Sequence, residues 1–209
     1  MSHIVLLGDS IFDNASYVRG GPDVVRQLGA VLPDSWRATL LAVDGATTRD
    51  VRSQLARMPA DATHLVVSAG GNDALGASGL LYSGVRIVGE AVALLAEAQD
   101  AFDASYRDML GRILQLGLPT ALCTIYDTPR FAPDHRIIKA ALSLFNDRIT
   151  RAAFANSLPL VDLRLICNED ADYANPIEPS VQGGDKMARA IARLAAGPAD
   201  DWRRPLTIT

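Results

Sequence analysis

Five apolar runs of strand length, at residues 3–7, 39–43, 64–69, 119–125 and 158–163, are separated by stretches whose apolar residues recur at helical spacing. This alternation constrains the fold more than any other feature of the sequence. Strands joined through helices run parallel, and a parallel sheet needs a helical layer on each face, so its strands read as unbroken apolar runs. The expected fold class is α/β: a single-domain three-layer α/β/α sandwich, flavodoxin-like, around a five-stranded parallel sheet. A length of 209 residues with 49% apolar and 21% charged residues suits one domain with a full core.

The helices are legible in the same way. Phe102, Tyr106, Met109, Leu110, Ile113 and Leu114 form one helix face, and Gly117 is placed to end that helix ahead of Pro119. Ile137, Ala141, Leu144, Phe145, Arg148 and Ala152 describe a mostly apolar face in the fourth connection. Met187, Ala190, Ile191 and Leu194 describe another, with Ser180 placed to start it. Residues 74–89, rich in Gly and Ser, read as a flap in which Leu80, Leu81, Val85 and Ile87 require burial. Residues 198–209 show little pattern and read as a loose tail after a domain of residues 1–197.

A net charge of −4 and the absence of any Lys/Arg run argue against nucleic acid as a partner. No apolar stretch approaches the roughly 18 residues of a membrane span, and the run at residues 4–7 is too short for a signal-peptide core, so the expected location is cytoplasmic. Cys123 and Cys167 lie far apart with no CxxC and no companion His at zinc-like spacing, so they read as reduced, buried thiols and no metal is expected. No GxGxxG or GxxxxGK[ST] motif is present, and no cofactor is expected. Nothing in the sequence speaks to oligomeric state.

In an open parallel sheet, ligands bind beyond the carboxyl ends of the strands. Three strand exits are unusual: Gly8-Asp9-Ser10 within "GDSIFDN", Asp44-Gly45-Ala46-Thr47, and Gly70-Gly71-Asn72-Asp73. A hydroxyl on a turn, backbone N–H groups opened by glycine and an amide donor are the parts acyl transfer needs. Each motif alone is also an ordinary turn or helix cap. Together and in order they resemble the GDSL/SGNH hydrolase family, whose four sequence blocks carry serine, glycine, asparagine and histidine. The resemblance spans nearly the whole chain and includes "TIYDTP", residues 124–129, after the fourth strand. It implies Ser10 as nucleophile, an oxyanion hole made by the Ser10 and Gly45 backbone N–H groups with the Asn72 side chain, and small-molecule esters as substrates.

The last block departs from that pattern. Where the family has Asp-x-x-His, this chain has Asn175-Pro176-Ile177-Glu178. Glu178 stands in the place of the histidine base and Asn175 in that of the aspartate. Of the three histidines, His3 and His64 begin strands and so belong to the opposite rim, and only His135, after the fourth strand, could reach the site. Glutamate can act as the base if burial lifts its pKa from about 4.3 toward the histidine value of about 6.5. Asn175 suits such a glutamate, because an amide can donate a hydrogen bond where a second carboxylate would repel. Three classes of function stand side by side. The first is a serine esterase or acylhydrolase using Ser10, Glu178 and Asn175, and the second is a non-catalytic SGNH-like module that binds a small ligand or partner. The third is a metal-assisted or nucleotide-binding α/β protein in which Asp9, Asp13, Asp73 and Glu178 surround a hard cation.

Overall fold

The computed structural model describes residues 1–209, and strands and helices alternate along it. In chain order they are β1 (Ser2–Gly8), α1 (Val24–Val31), β2 (Trp36–Leu40), α2 (Val51–Leu55), β3 (His64–Ser68), α3 (Gly71–Ala77) and α4 (Val88–Leu114). There follow β4 (Thr120–Cys123), α5 (His135–Ala155), β5 (Leu160–Val161), α6 (Leu163–Ile166), β6 (Tyr173–Asn175), β7 (Glu178–Pro179), α7 (Val181–Ala196) and β8 (Thr207–Ile208). The main sheet runs β2-β1-β3-β4-β5-β8, parallel throughout.

Alternate residues of β1 feed the two faces of this sheet. Ile4 and Leu6 join a core of 24 buried residues under α1, α6 and α7, while Val5 and Leu7 join a core of 19 under α2 to α5. Burial on both faces is why the strands read as continuous apolar runs. No helix is long and apolar enough to cross a membrane.

The strand order also locates a crevice. The chain moves from β1 outward to β2 and then returns to place β3 on the other side of β1, so the connections diverge at the carboxyl ends of β1 and β3. Gly8 pairs with Ser68 at that end, and Ser10 and Asn72 follow within a few residues. Gly8 has φ +127°, and a Cβ there would lie 1.7 Å from the Ser68 carbonyl oxygen, so only glycine fits. The fully buried Gln54 of α2 clasps the same residue, accepting from the Gly8 N–H (2.8 Å) and donating to its carbonyl (2.7 Å). Gln54→Leu will therefore destabilise the fold by about 1–3 kcal/mol, since the buried Gly8 N–H loses its partner and the Gly8 carbonyl keeps only the Val43 N–H. Urea unfolding checks this, and a loss below about 1 kcal/mol would contradict the clasp.

Several sequence expectations shift. The sheet has six strands, not five: β8 adds to β5, and Trp202 is buried against Trp36, with His64 between the two rings. Residues 198–209 are thus stitched into the sheet, because a two-residue strand and one tryptophan leave almost no periodic signal. Pairing in β2 begins at Trp36, opposite Ser2, and β5 is only two residues long before the chain turns into α6. In α5 the buried face runs through Phe145, Asn146, Ile149 and Ala153, whereas Ile137 is 54% exposed. The first turns of α5 line an outer groove and are largely exposed, so the apolar phase set there does not describe the core. The long helix α4 behaves alike: Phe102, Tyr106, Met109, Leu110 and Ile113 are buried in its second half, and Val88 and Val92 are exposed in its first. In the 74–89 stretch, Leu80 and Leu81 are half-buried in a 3₁₀ turn (Ser78–Tyr82), while Val85 and Ile87 stay in solvent. Ser180 caps α7 as expected, accepting from the Gly183 N–H, and Cys123 and Cys167 are free and buried.

Candidate active site

Ser10 sits in the turn that leaves β1. Asp9 anchors that turn: its N–H donates to the Ser68 carbonyl (3.1 Å), and its own carbonyl accepts from the Phe12 and Asp13 N–H groups (3.2 Å each). Its carboxylate accepts from the Ile11 N–H (3.2 Å). Ser10 therefore points away from the backbone scaffold, into a cavity of about 360 Å³ that Asp9, Asn72, Tyr126 and Glu178 also line.

The other two strand exits are tied to this turn. The Gly45 turn has φ +78° at its glycine, and Thr48, almost fully buried, fastens it to α3 by donating twice to the Asp73 carboxylate (2.9 and 2.8 Å). Asn72 Nδ2 donates to the Ala46 carbonyl (3.0 Å), and the Asp44 N–H donates to Asp13 (2.9 Å). The backbone N–H groups of Ser10 and Gly45 have no protein acceptor. Two unused amides and a side-chain amide thus flank the first and second strand exits.

Glu178 arrives from the far end of the chain on the antiparallel hairpin β6–β7, where it pairs with Asn175. It is 4% exposed, and Oε2 is buried with no hydrogen-bond partner. Burial lifts its carboxyl to about 7; the nearby Ser10 hydroxyl pulls it down and the negative charge of Asp44 adds to the rise. Asp9 is likewise lifted to about 7, chiefly by burial, with the Ile11 N–H opposing and the charges of Glu178 and Asp73 contributing.

The hairpin is held by residues that motif reading passes over. Asn14, the last letter of "GDSIFDN", is fully buried, accepts from the Val24 N–H (3.0 Å) and reaches the Pro179 carbonyl (3.5 Å). Tyr126 donates to the Ile177 carbonyl (2.7 Å) and Thr128 to the Pro176 carbonyl (3.1 Å), so "TIYDTP" grips the turn before Glu178. Their one signal was membership in motifs already quoted.

Asn175 departs from its expected place. Its Oδ1 accepts from the Ile177 N–H (2.9 Å), closing a local turn, and it does not hydrogen-bond the Glu178 carboxylate. None of the three histidines lines the cavity: His3 and His64 are at the opposite end of the sheet, and His135 starts α5 on an outer groove. Asp13 and Asp73 are spent on Asp44 and Thr48, and Asp9, Asp13, Asp73 and Glu178 do not gather into a group that could hold a metal ion.

A family model described as the GDSL-like Lipase/Acylhydrolase family matches residues 6–186. The chain belongs to that family. Among solved structures, the GDSL chain is similar to an extracellular lipase from Streptomyces rimosus, with TM-score 0.70 at 17% identity, covering 93% of this chain and 100% of that one. It is similar to a lipase from a goat rumen metagenome, with TM-score 0.72 at 18% identity over 94% and 98% of the two chains. The acetylxylan esterase Axe2 from Geobacillus stearothermophilus gives TM-score 0.67 at 20% identity over 97% and 96%. These likenesses establish the GDSL fold across nearly the whole chain. No curated protein sequence matches it.

The two raised carboxyls bear on stability as well as chemistry. A carboxyl whose folded-state pKa is raised binds its proton more tightly folded than unfolded, so stability is greatest at low pH and falls as pH climbs from the ordinary value of 3.8 through about 7. Asp9→Asn keeps an acceptor for the Ile11 N–H but cannot ionise. It should be more stable than the parent by about 1–3 kcal/mol near pH 8, and close to neutral near pH 4. Unfolding measured at both pH values decides this, and an effect equal at the two would contradict it.

Proposed function

We propose that this protein is a serine esterase or acylhydrolase of the GDSL type in which Glu178 does the work of the histidine base. The observation that carries the reading is that Ser10 and the buried Glu178 carboxylate line one cavity and that burial lifts the latter to about 7. That value is close to the roughly 6.5 of histidine, so burial recovers the basicity that the exchange for glutamate loses.

In the first step Glu178 takes the Ser10 proton as Oγ bonds to the ester carbonyl carbon and the C=O electron pair moves onto oxygen. The Ser10 and Gly45 N–H groups and the Asn72 amide receive that oxyanion. Collapse re-forms the carbonyl and expels the alcohol oxygen, which takes the proton from Glu178. Water then attacks the acyl-serine with Glu178 as base, releasing the carboxylic acid and restoring Ser10. Glu178 has no orienting partner on Oε2, so its placement depends on the hairpin gripped by Asn14, Tyr126 and Thr128. Acid–base pairs in free enzymes are commonly loose and tighten in the reacting complex.

The experiment is labelling with a fluorophosphonate followed by peptide mass spectrometry. Stoichiometric modification at Ser10 with loss of ester turnover is the expected result. An intact Ser10 under conditions that label a control serine hydrolase would instead favour the non-catalytic module.

A further inference from the structure

Fourteen of the chain's 24 carboxylates take part in ion pairs, and the five that stand around Ser10 are not among them. Asp9 and Asp13 follow β1, Asp44 follows β2, Asp73 follows β3, and Glu178 arrives on β7. Four of them bond only neutral donors: the Ile11 N–H for Asp9, the Asp44 N–H for Asp13, the Tyr17 hydroxyl (2.7 Å) for Asp44, and Thr48 for Asp73. Oε2 of Glu178 has no donor at all, although the residue is almost wholly buried and lines the cavity. No Lys, Arg or His lines that cavity. The charges that act on Glu178, Asp9 and Tyr17 are all negative. A rim of one sign raises the local concentration of the opposite charge.

An ester at Ser10 has two arms. The cavity, walled by residues of α3, α4 and α5, takes one of them, and Asp13, Tyr17 and Asp44 line no part of it. The departing alcohol oxygen takes its proton from Glu178, so the alcohol arm leaves past that carboxylate, where the charge of Asp44 is felt. We propose that the substrates are esters whose alcohol arm carries an ammonium group, held by the negative rim of Asp13, Asp44 and Glu178. This rests on Ser10 and Glu178 acting as nucleophile and base. The ionised Glu178 that takes the Ser10 proton has no ion-pair partner in the chain, and a cationic arm supplies the missing charge. An anionic arm meets the same rim with the wrong sign and is disfavoured. The carboxylates do not gather closely enough to hold a metal ion, whereas an organic cation needs only their field.

The test compares choline butanoate with its neutral isostere, in which a quaternary carbon replaces the nitrogen, and with the butanoate of isethionate, whose alcohol arm is anionic. At low ionic strength kcat/KM for the choline ester should exceed that for the isostere about tenfold, with the isethionate ester slowest. Sodium chloride at about 0.5 M should remove most of the preference. The double variant Asp13→Asn/Asp44→Asn keeps an acceptor for each bond these side chains receive, and it should lower the choline-to-isostere ratio about threefold or more. A change in Glu178 basicity cancels from that ratio, because both substrates meet the same enzyme. Turnover of the isostere with a parent ratio near one, or with a ratio unchanged in the double variant, overturns the cationic arm and leaves the hydrolase reading standing. Should none of the three esters turn over, the hydrolase reading fails, and calorimetry with choline decides the rim separately. Binding that the double variant weakens supports it, and no binding, or equal binding, overturns it.

Discussion

Ser10→Ala will reduce kcat for ester hydrolysis by on the order of 10⁴-fold or more while leaving the fold intact. The size of the loss follows from covalent catalysis: without the hydroxyl no acyl-serine forms, and only the oxyanion donors and the binding cavity still assist direct attack by water. The fold survives because the turn is carried by Asp9, whose backbone and carboxylate make the bonds to Ser68, Phe12, Asp13 and Ile11. Circular dichroism and the thermal midpoint of Ser10→Ala should match the parent within a few degrees. Residual activity above about a tenth of the parent would remove Ser10 as the nucleophile.

How much of this was legible beforehand differs between scaffold and site. The central strands were readable because Ile4 to Leu7 and Leu65 to Val67 are buried on both sheet faces, and nothing but a continuous apolar run satisfies that. The rim that carries Ser10 and Asn72 was readable because strand order brings the exits of β1 and β3 side by side at one end of the sheet. Helix phase failed in α5, where periodicity reports an apolar face but not what lies opposite, and the first turns face a groove. Asn175 failed for a related reason. A short amide beside a turn can satisfy itself two residues along the chain, as it does with Ile177, and residue type cannot distinguish that from a bond to Glu178. The support that Asn14 and Tyr126 give to the Glu178 hairpin spans 165 and 51 residues and has no local signature.

That missing orienter makes Glu178 the sharper test of mechanism. For a carboxylate base the ionised form is the active one, so a folded pKa lifted to about 7 places the rising limb of kcat/KM in the neutral range, well above the 4.5 of an ordinary glutamate. Below that midpoint activity should fall about tenfold per pH unit, because only the ionised fraction can take the Ser10 proton. Glu178→Gln keeps the shape and one acceptor oxygen but not the basicity. It should lower kcat/KM at neutral pH by on the order of 10²–10⁴-fold and abolish the limb. Asp9 has its carboxyl lifted to the same range and could produce a limb of its own, and Asp9→Asn separates the two. If Glu178 is the base, Asp9→Asn retains a single rising limb while Glu178→Gln loses it. A limb that disappears in Asp9→Asn and persists in Glu178→Gln would move the base from the hairpin to the nucleophile's own turn. A full-rate Glu178→Gln enzyme with a flat profile would show that Ser10 is activated by no carboxylate in the cavity.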